Sequence, residues 1–112
     1  MVKSASQIGR IIDALAAGLK AKGIKIDRLI LFGSHANGNA HPYSDIDIAV
    51  ISPTFNTINL LKRQELLGEV IFPLQEPIEA IGYSTKEFRS RGRLSFLSEV
   101  VATGRTVFKG AS

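Results

Sequence analysis

The chain has no cysteine, which removes disulfides, thiolate nucleophiles and sulfur-based zinc sites together, and leaves the redox compartment open. It also has no apolar stretch long enough to span a membrane. The first 22 residues are apolar only at intervals and carry Lys3, Arg10, Asp13 and Lys20, so they lack the continuous apolar block of a signal peptide. A cytoplasmic protein with no membrane partner is expected. Repeats, linkers and low-complexity tracts are missing too. Charge of one sign is only mildly in excess, with a formal net charge of +4. That suits an anionic ligand without choosing among nucleotide, nucleic acid and acidic protein. Aromatic-interleaved basic motifs of the RNA-binding kinds are not found, so nucleic-acid binding rests on charge alone.

What is present is ordinary for a globular protein: 112 residues, 45% hydrophobic and 21% charged. Because single domains usually need about 100 to 150 residues, residues 1–112 are expected to form one domain around one core. Ile8, Ile11, Ile12, Leu15, Ala16 and Leu19 recur at helical spacing, predicting a helix over 5–22 that ends near Gly23. Arg28 to Phe32 is a short apolar run and reads as a buried strand. Residues 33–44 turn to Gly, Ser, Asn, His and Pro, a loop with at most one helical turn. Asp45 to Ile51 reads as a second strand, broken by Ser52-Pro53, and Leu60, Leu61, Leu67, Val70 and Ile71 predict a helix over 58–72 closed by Pro73. Pro77 to Tyr83 is a third strand, suited to a sheet edge. Ser84-Thr85-Lys86-Glu87 can cap a short helix, Phe96 to Thr103 forms another that stops at Gly104, and Thr106 to Lys109 is extended. This order predicts an α/β (α+β) fold, a small mixed sheet covered by helices.

The chemistry concentrates in Leu31-Phe32-Gly33-Ser34, ten residues, and Asp45-Ile46-Asp47-Ile48. Gly33 allows a tight bend and the close approach of a phosphate, and Ser34 would cap the following helical turn, where free N–H groups bind phosphate oxygens. A Gly-Ser pair taken alone reads as a plain turn. Asp45 and Asp47, two apart on a strand, project from one face. Their like charges repel unless a cation lies between them, and a magnesium ion with oxygen ligands answers that need. The plainer reading is an acidic exposed strand face. Yet aspartates are poor strand formers, and violations of local propensity gather at functional sites. Glu79, inside an apolar run, is the candidate third carboxylate. Glu76 competes with it, and the two differ in strand parity, so both cannot point into one site.

Gly33-Ser34, the ten-residue gap and Asp45-Ile46-Asp47 resemble the active-site signature of the DNA polymerase β-type nucleotidyltransferase superfamily. The short chain is similar to its minimal nucleotidyltransferases, stand-alone domains often encoded beside a helical HEPN-type partner. Pro77-Ile78-Glu79, Tyr83 to Phe88 and Gly104 to Phe108 also resemble that family. The resemblance implies transfer of a nucleoside monophosphate from a triphosphate, with ATP as substrate, to a hydroxyl acceptor such as a partner protein in a toxin–antitoxin module. It implies Mg2+ or Mn2+ as cofactor. It makes Gly33 and Ser34 nucleotide-binding, and Asp45, Asp47 and Glu79 catalytic and metal-binding. The acceptor surface would come from a HEPN-type partner or a homodimer, marked by an exposed apolar patch near the C-terminal helix. Where minimal members commonly have an arginine two or three residues after the serine, this chain has Ala36 and Asn37. His35, Lys62, Arg63 and the Lys86 to Arg93 stretch are the cations considered as replacements for it, and His41 reads as an ordinary loop residue. The alternative is a catalytically inactive interaction protein of the same fold that binds a helical HEPN-type partner.

Overall fold

A computed structural model describes residues 3–42 and 44–110. The first helix, α1 (Ala5–Ala21), opens with a capping box: the Gln7 backbone N–H donates to Ser4 Oγ at 3.1 Å, and the Ser4 N–H donates to Gln7 Oε1 at 2.7 Å. Its apolar stripe, Ile8 through Leu19, is buried as its spacing predicts. β1 (Arg28–Phe32) follows, then the single turn α2 (Ser34–Asn37), β2 (Ile46–Ser52), and a 3₁₀ turn over Pro53–Thr57 that buries Phe55. α3 (Leu60–Ile71) starts where Asn59 caps it and gives way to a 3₁₀ turn, Phe72–Leu74, around Pro73. β3 (Ile78–Ser84), α4 (Thr85–Arg89), α5 (Phe96–Thr103) and β4 (Arg105–Lys109) complete the order.

The four strands form a mixed sheet in the order β3-β2-β1-β4, with β2 and β3 parallel and the other pairs antiparallel. β3 lies at the edge, as the preceding Pro77 suggested. Alternation along the strands splits the interior in two. Leu29, Leu31, Ile46, Ile48 and Val50 face α1 and α3 and join the larger cluster. Ile30, Ala49 and Ile51 face Leu97 and Val100 of α5 in a thinner second cluster. Asp47 and Glu79 share the parity of Ala49 and belong to this thinly covered face.

The helix predicted from the periodicity of Leu60, Leu61, Leu67, Val70 and Ile71 is present, but two of those residues lie outside its buried face: Leu60 and Leu61 are 63% and 72% exposed. The buried stripe is Arg63, Leu67 and Val70 at helical spacing, so Leu61 falls off it and Leu60 lies in the first turn. Arg63 is accommodated there because each of its three nitrogens finds an acceptor. Nε donates to Ile58 O at 2.7 Å, Nη1 to Glu87 Oε1 at 2.7 Å and to Gly82 O at 3.3 Å, and Nη2 to Phe55 O at 2.9 Å. One guanidinium thus joins the 3₁₀ turn after β2, α3, β3 and α4. Near α5, Leu94 and Phe96 are 98% and 53% exposed, with the Phe96 ring edge-on to Phe32 at 5.9 Å.

Candidate active site

Gly33 leaves β1 with φ 72 and ψ −152, a backbone region that essentially only glycine occupies. Space demands glycine as well. A Cβ at this position would fall on Asp47 Oδ2 and lie 3.1 Å from Asp47 Cγ. The bend after β1 is therefore moulded around the Asp47 carboxylate, which sits opposite Phe32 in the β1–β2 register.

Gly33, rather than Ser34, takes the cap position of α2. Ser34 is the first helical residue, which corrects the expectation that its side chain caps the turn. Among the described residues its hydroxyl has no hydrogen-bond partner, and it lines the cleft with Asp45, Asp47 and Glu79. Gly38, in the left-handed conformation, closes α2. The loop beyond is tied by buried Ser44, whose Oγ accepts the His41 N–H at 2.9 Å and whose N–H donates to His41 O at 2.9 Å. The Ser44 carbonyl accepts from His35 Nε2 at 3.3 Å. Asp45 is carried just ahead of the first paired residue of β2, one position later than expected for the strand start.

The Ile46 N–H donates to Pro77 O at 2.8 Å and aligns the parallel strands so that Asp47 stands beside Glu79. Neighbouring strands lie about 4.8 Å apart, so the two carboxylates share one face at close range. Glu76 precedes β3 and lines a different groove with Lys3 and Arg10. The parity argument is thereby decided by register.

Burial lifts the Asp47 carboxyl above its ordinary range, the charges of Glu79 and then Asp45 lift it further, and His35 pulls it back. The cleft is thus over-supplied with negative charge. Among the described residues no three His, Asp or Glu side chains make a ready cage for a metal ion. Magnesium is not usually caged by protein alone; it takes one or two carboxylates and completes its shell with water and substrate phosphates. An all-oxygen donor set with surplus charge fits that kind of ion.

Of the cations considered as replacements for the missing arginine, only His35 acts on the carboxylates, lowering the Asp47 pKa, and it lines the cavity beside the cleft rather than the cleft itself. Arg63 is consumed by its buried network, and Lys62 pairs with Glu65 at 3.6 Å on the surface. Arg91 and Arg28 stack on the Phe88 ring at 4.5 and 4.6 Å. None of these, nor Lys86, Arg89 or Arg93, lines the acidic cleft. His41, read as an ordinary loop residue, does line it, together with Asn39. Nothing in the sequence singled out Asn39, because its place depends on how the loop folds back.

A family model described as a nucleotidyltransferase domain matches residues 12–102. No curated protein matches the chain significantly. Among solved structures, a Sulfolobus solfataricus protein described as a presumed nucleotidyltransferase superposes with a TM-score of 0.62 at 19% identity, over 91% of this chain and 77% of that one. That likeness speaks for the fold alone. A toxin–antitoxin complex with AMP-PNP is 26% identical, with a TM-score of 0.62 over 87% of this chain and 72% of the other. A complex of the tri-AMPylated Shewanella oneidensis HEPN toxin with MNT antitoxin is 25% identical, with a TM-score of 0.51 over 89% and 67%. Among the described residues, no helix is long and apolar enough to cross a membrane.

Proposed function

Because the chain belongs to the nucleotidyltransferase domain family, we propose that it transfers a nucleoside monophosphate from ATP to a hydroxyl group of a partner protein, in the cytoplasm. The observation that carries this reading is the bend at Gly33, whose missing Cβ makes room for the Asp47 carboxylate in register with Glu79 and in one cleft with Ser34. A strand face that was acidic by accident would not need the preceding strand to be shaped around it.

Asp45 and Asp47 are the residues that would hold Mg2+ or Mn2+. When bound, such ions screen the triphosphate and stabilise the attacking and leaving oxygens. The Ser34 hydroxyl donates to a triphosphate oxygen. Glu79, beside Asp47, helps hold an ion or accepts the proton of the attacking hydroxyl. The acceptor oxygen bonds to the α-phosphorus while the bond to the β-phosphate bridge breaks and pyrophosphate departs. No covalent intermediate on the protein is needed, since the site acts by positioning and charge.

Two likenesses support the substrate and the partner: one complex contains AMP-PNP, and the other a HEPN toxin carrying AMP groups beside MNT antitoxin. A helical HEPN-type protein is the partner this favours, with a second copy of the chain as the other source of an acceptor surface. Exposed Phe96, edge-on to Phe32 at the end of β1, and exposed Leu94 two residues before it offer an apolar patch at the start of α5. The same patch serves the second reading, a partner-binding protein without catalysis.

Titrating ATP with Mg2+ or Mn2+ into the wild type and an Asp45→Asn, Asp47→Asn double variant separates the two. The transferase reading expects binding only with metal, and none in the variant. A wild type that binds ATP with neither ion gives first place to the interaction protein.

A further inference from the structure

The acidic cleft contains three carboxylates, while a triphosphate brings about four more negative charges at neutral pH. Two divalent ions leave part of that charge unbalanced, so cations near the far end of the triphosphate would be expected. Ser34 lines two cavities rather than one. On one side is the acidic cleft; on the other is a cavity of about 220 Å³ lined also by Lys3, His35 and Arg105.

The second cavity is assembled from distant parts of the chain. Arg105 opens β4 and pairs in register with Leu31, two residues before Gly33. Lys3 precedes the cap of α1, whose first turns supply Ala5 and Ile8 as an apolar wall. His35 follows Ser34, and its Nε2 is engaged by the Ser44 carbonyl, which fixes the ring. Among the described residues, the side chains of Lys3 and Arg105 have no hydrogen-bond or ion-pair partner. Lys22, Arg28, Lys62 and Arg63 each pair with a carboxylate, while Arg10, Lys25, Lys86, Arg89, Arg93 and Lys109 resemble Lys3 and Arg105 in pairing with none among the described residues; what sets Lys3 and Arg105 apart is that they line one cavity with Ser34. Two cations and an imidazole thus stand against an apolar wall, beside the Ser34 hydroxyl, a lining whose charge suits an oxyanion.

We propose that Lys3, His35 and Arg105 form a phosphate subsite that holds the outer phosphates of the triphosphate, and the pyrophosphate it becomes, behind Ser34. This rests on the transferase reading for its ligand but not for its charge. The guanidinium of Arg105 offers a planar fork to two phosphate oxygens, and Lys3 acts as a point charge. The clamp for which the residues after Ser34 supply no arginine thus comes from the two ends of the described chain.

The test measures binding of Mg·ATP, inorganic pyrophosphate and AMP to the wild type, Arg105→Gln, Lys3→Gln, Arg105→Lys and the Asp45→Asn, Asp47→Asn variant. Losing one charge-assisted contact should weaken Mg·ATP and pyrophosphate about tenfold or more in each glutamine variant, leave AMP unchanged and be only partly rescued by Arg105→Lys, which restores the charge without the fork. If both glutamine variants bind Mg·ATP as the wild type does, the subsite is overturned; the transferase reading then stands provided the aspartate variant loses Mg·ATP. If the wild type binds pyrophosphate through Arg105 but no Mg·ATP, the transferase reading falls and the anion pocket remains. Binding of neither ligand sinks both. Circular dichroism checks folding, and Lys3→Gln, ahead of the first helix, carries the test should Arg105→Gln fail to fold.

Discussion

Gly33→Ala is the most informative single change to this molecule, because two separable penalties meet at one Cβ. The backbone at φ 72 and ψ −152 lies in a region nearly closed to alanine, worth about 1 to 3 kcal/mol. The added carbon also lands on the Asp47 carboxylate, and overpacking of that kind adds roughly 1 to 3 kcal/mol. A loss of about 2 to 6 kcal/mol is expected, large against the roughly 5 to 15 kcal/mol of an ordinary domain. Gly38 supplies the control. It has φ 81 in the left-handed region, and a Cβ there meets nothing within 4 Å; Gly38→Ala should therefore cost only about 1 kcal/mol. The steric part is isolated by repeating Gly33→Ala in an Asp47→Ala background, where its cost should shrink by about 1 to 2 kcal/mol. Urea denaturation followed by far-ultraviolet circular dichroism suits a chain without tryptophan. Equal costs for Gly33→Ala and Gly38→Ala, or no coupling to residue 47, would refute the claim that the bend is moulded around the carboxylate.

Other expectations follow from the charges. Because burial, Glu79 and Asp45 raise the Asp47 pKa, its ionisation opposes folding, and that penalty appears as pH rises through the unfolded and then the folded pKa. Asp47→Asn should therefore melt above the metal-free wild type at pH 7, with the gap closing near pH 4; a variant less stable at pH 7 contradicts the repulsion. Glu87 behaves oppositely. Burial raises its pKa, but the Ser84 N–H and Arg63 outweigh that and leave it lowered, so its stabilisation is present above the ordinary carboxylate pKa and lost as pH falls through the folded one. Glu87→Gln should cost about 1 to 2 kcal/mol at pH 7, discounted because Glu87 is partly exposed, and should flatten the acid limb of the melting curve. Arg63→Met leaves Glu87 and three carbonyls short of a donor and should cost about 2 to 4 kcal/mol. Its folded fraction, measured by titration below the melting point, should bind nucleotide unchanged, since Arg63 lies outside the cleft.

Much of the fold is local and was legible for that reason. The stripe of α1, the cap at Ser84, the stops at Pro73 and Gly104, and the short runs of β1 and β2 are signals that neighbouring residues exchange within a turn or a strand. Errors arose where a pattern had two readings. Leu60 and Leu61 look like core residues in an apolar helix, yet the helix buries an arginine instead, because four acceptors from three other segments converge on it. Arg63 in turn looked like a free cation. Pairing of that kind is invisible to a reading that cannot place Gly82 and Glu87 beside α3.

The sequence by itself determined the element types, the mixed sheet and the family, since periodicity, caps and the Gly33-Ser34 to Asp45-Ile46-Asp47 spacing are properties of contiguous residues. Tertiary structure alone decided which glutamate stands beside Asp47, because β2–β3 register, not parity, selects Glu79 over Glu76. It also decided that Lys3 and Arg105, about a hundred residues apart along the chain, meet behind Ser34. Local propensity acts over a few bonds, whereas strand register is set by the whole core closing at once.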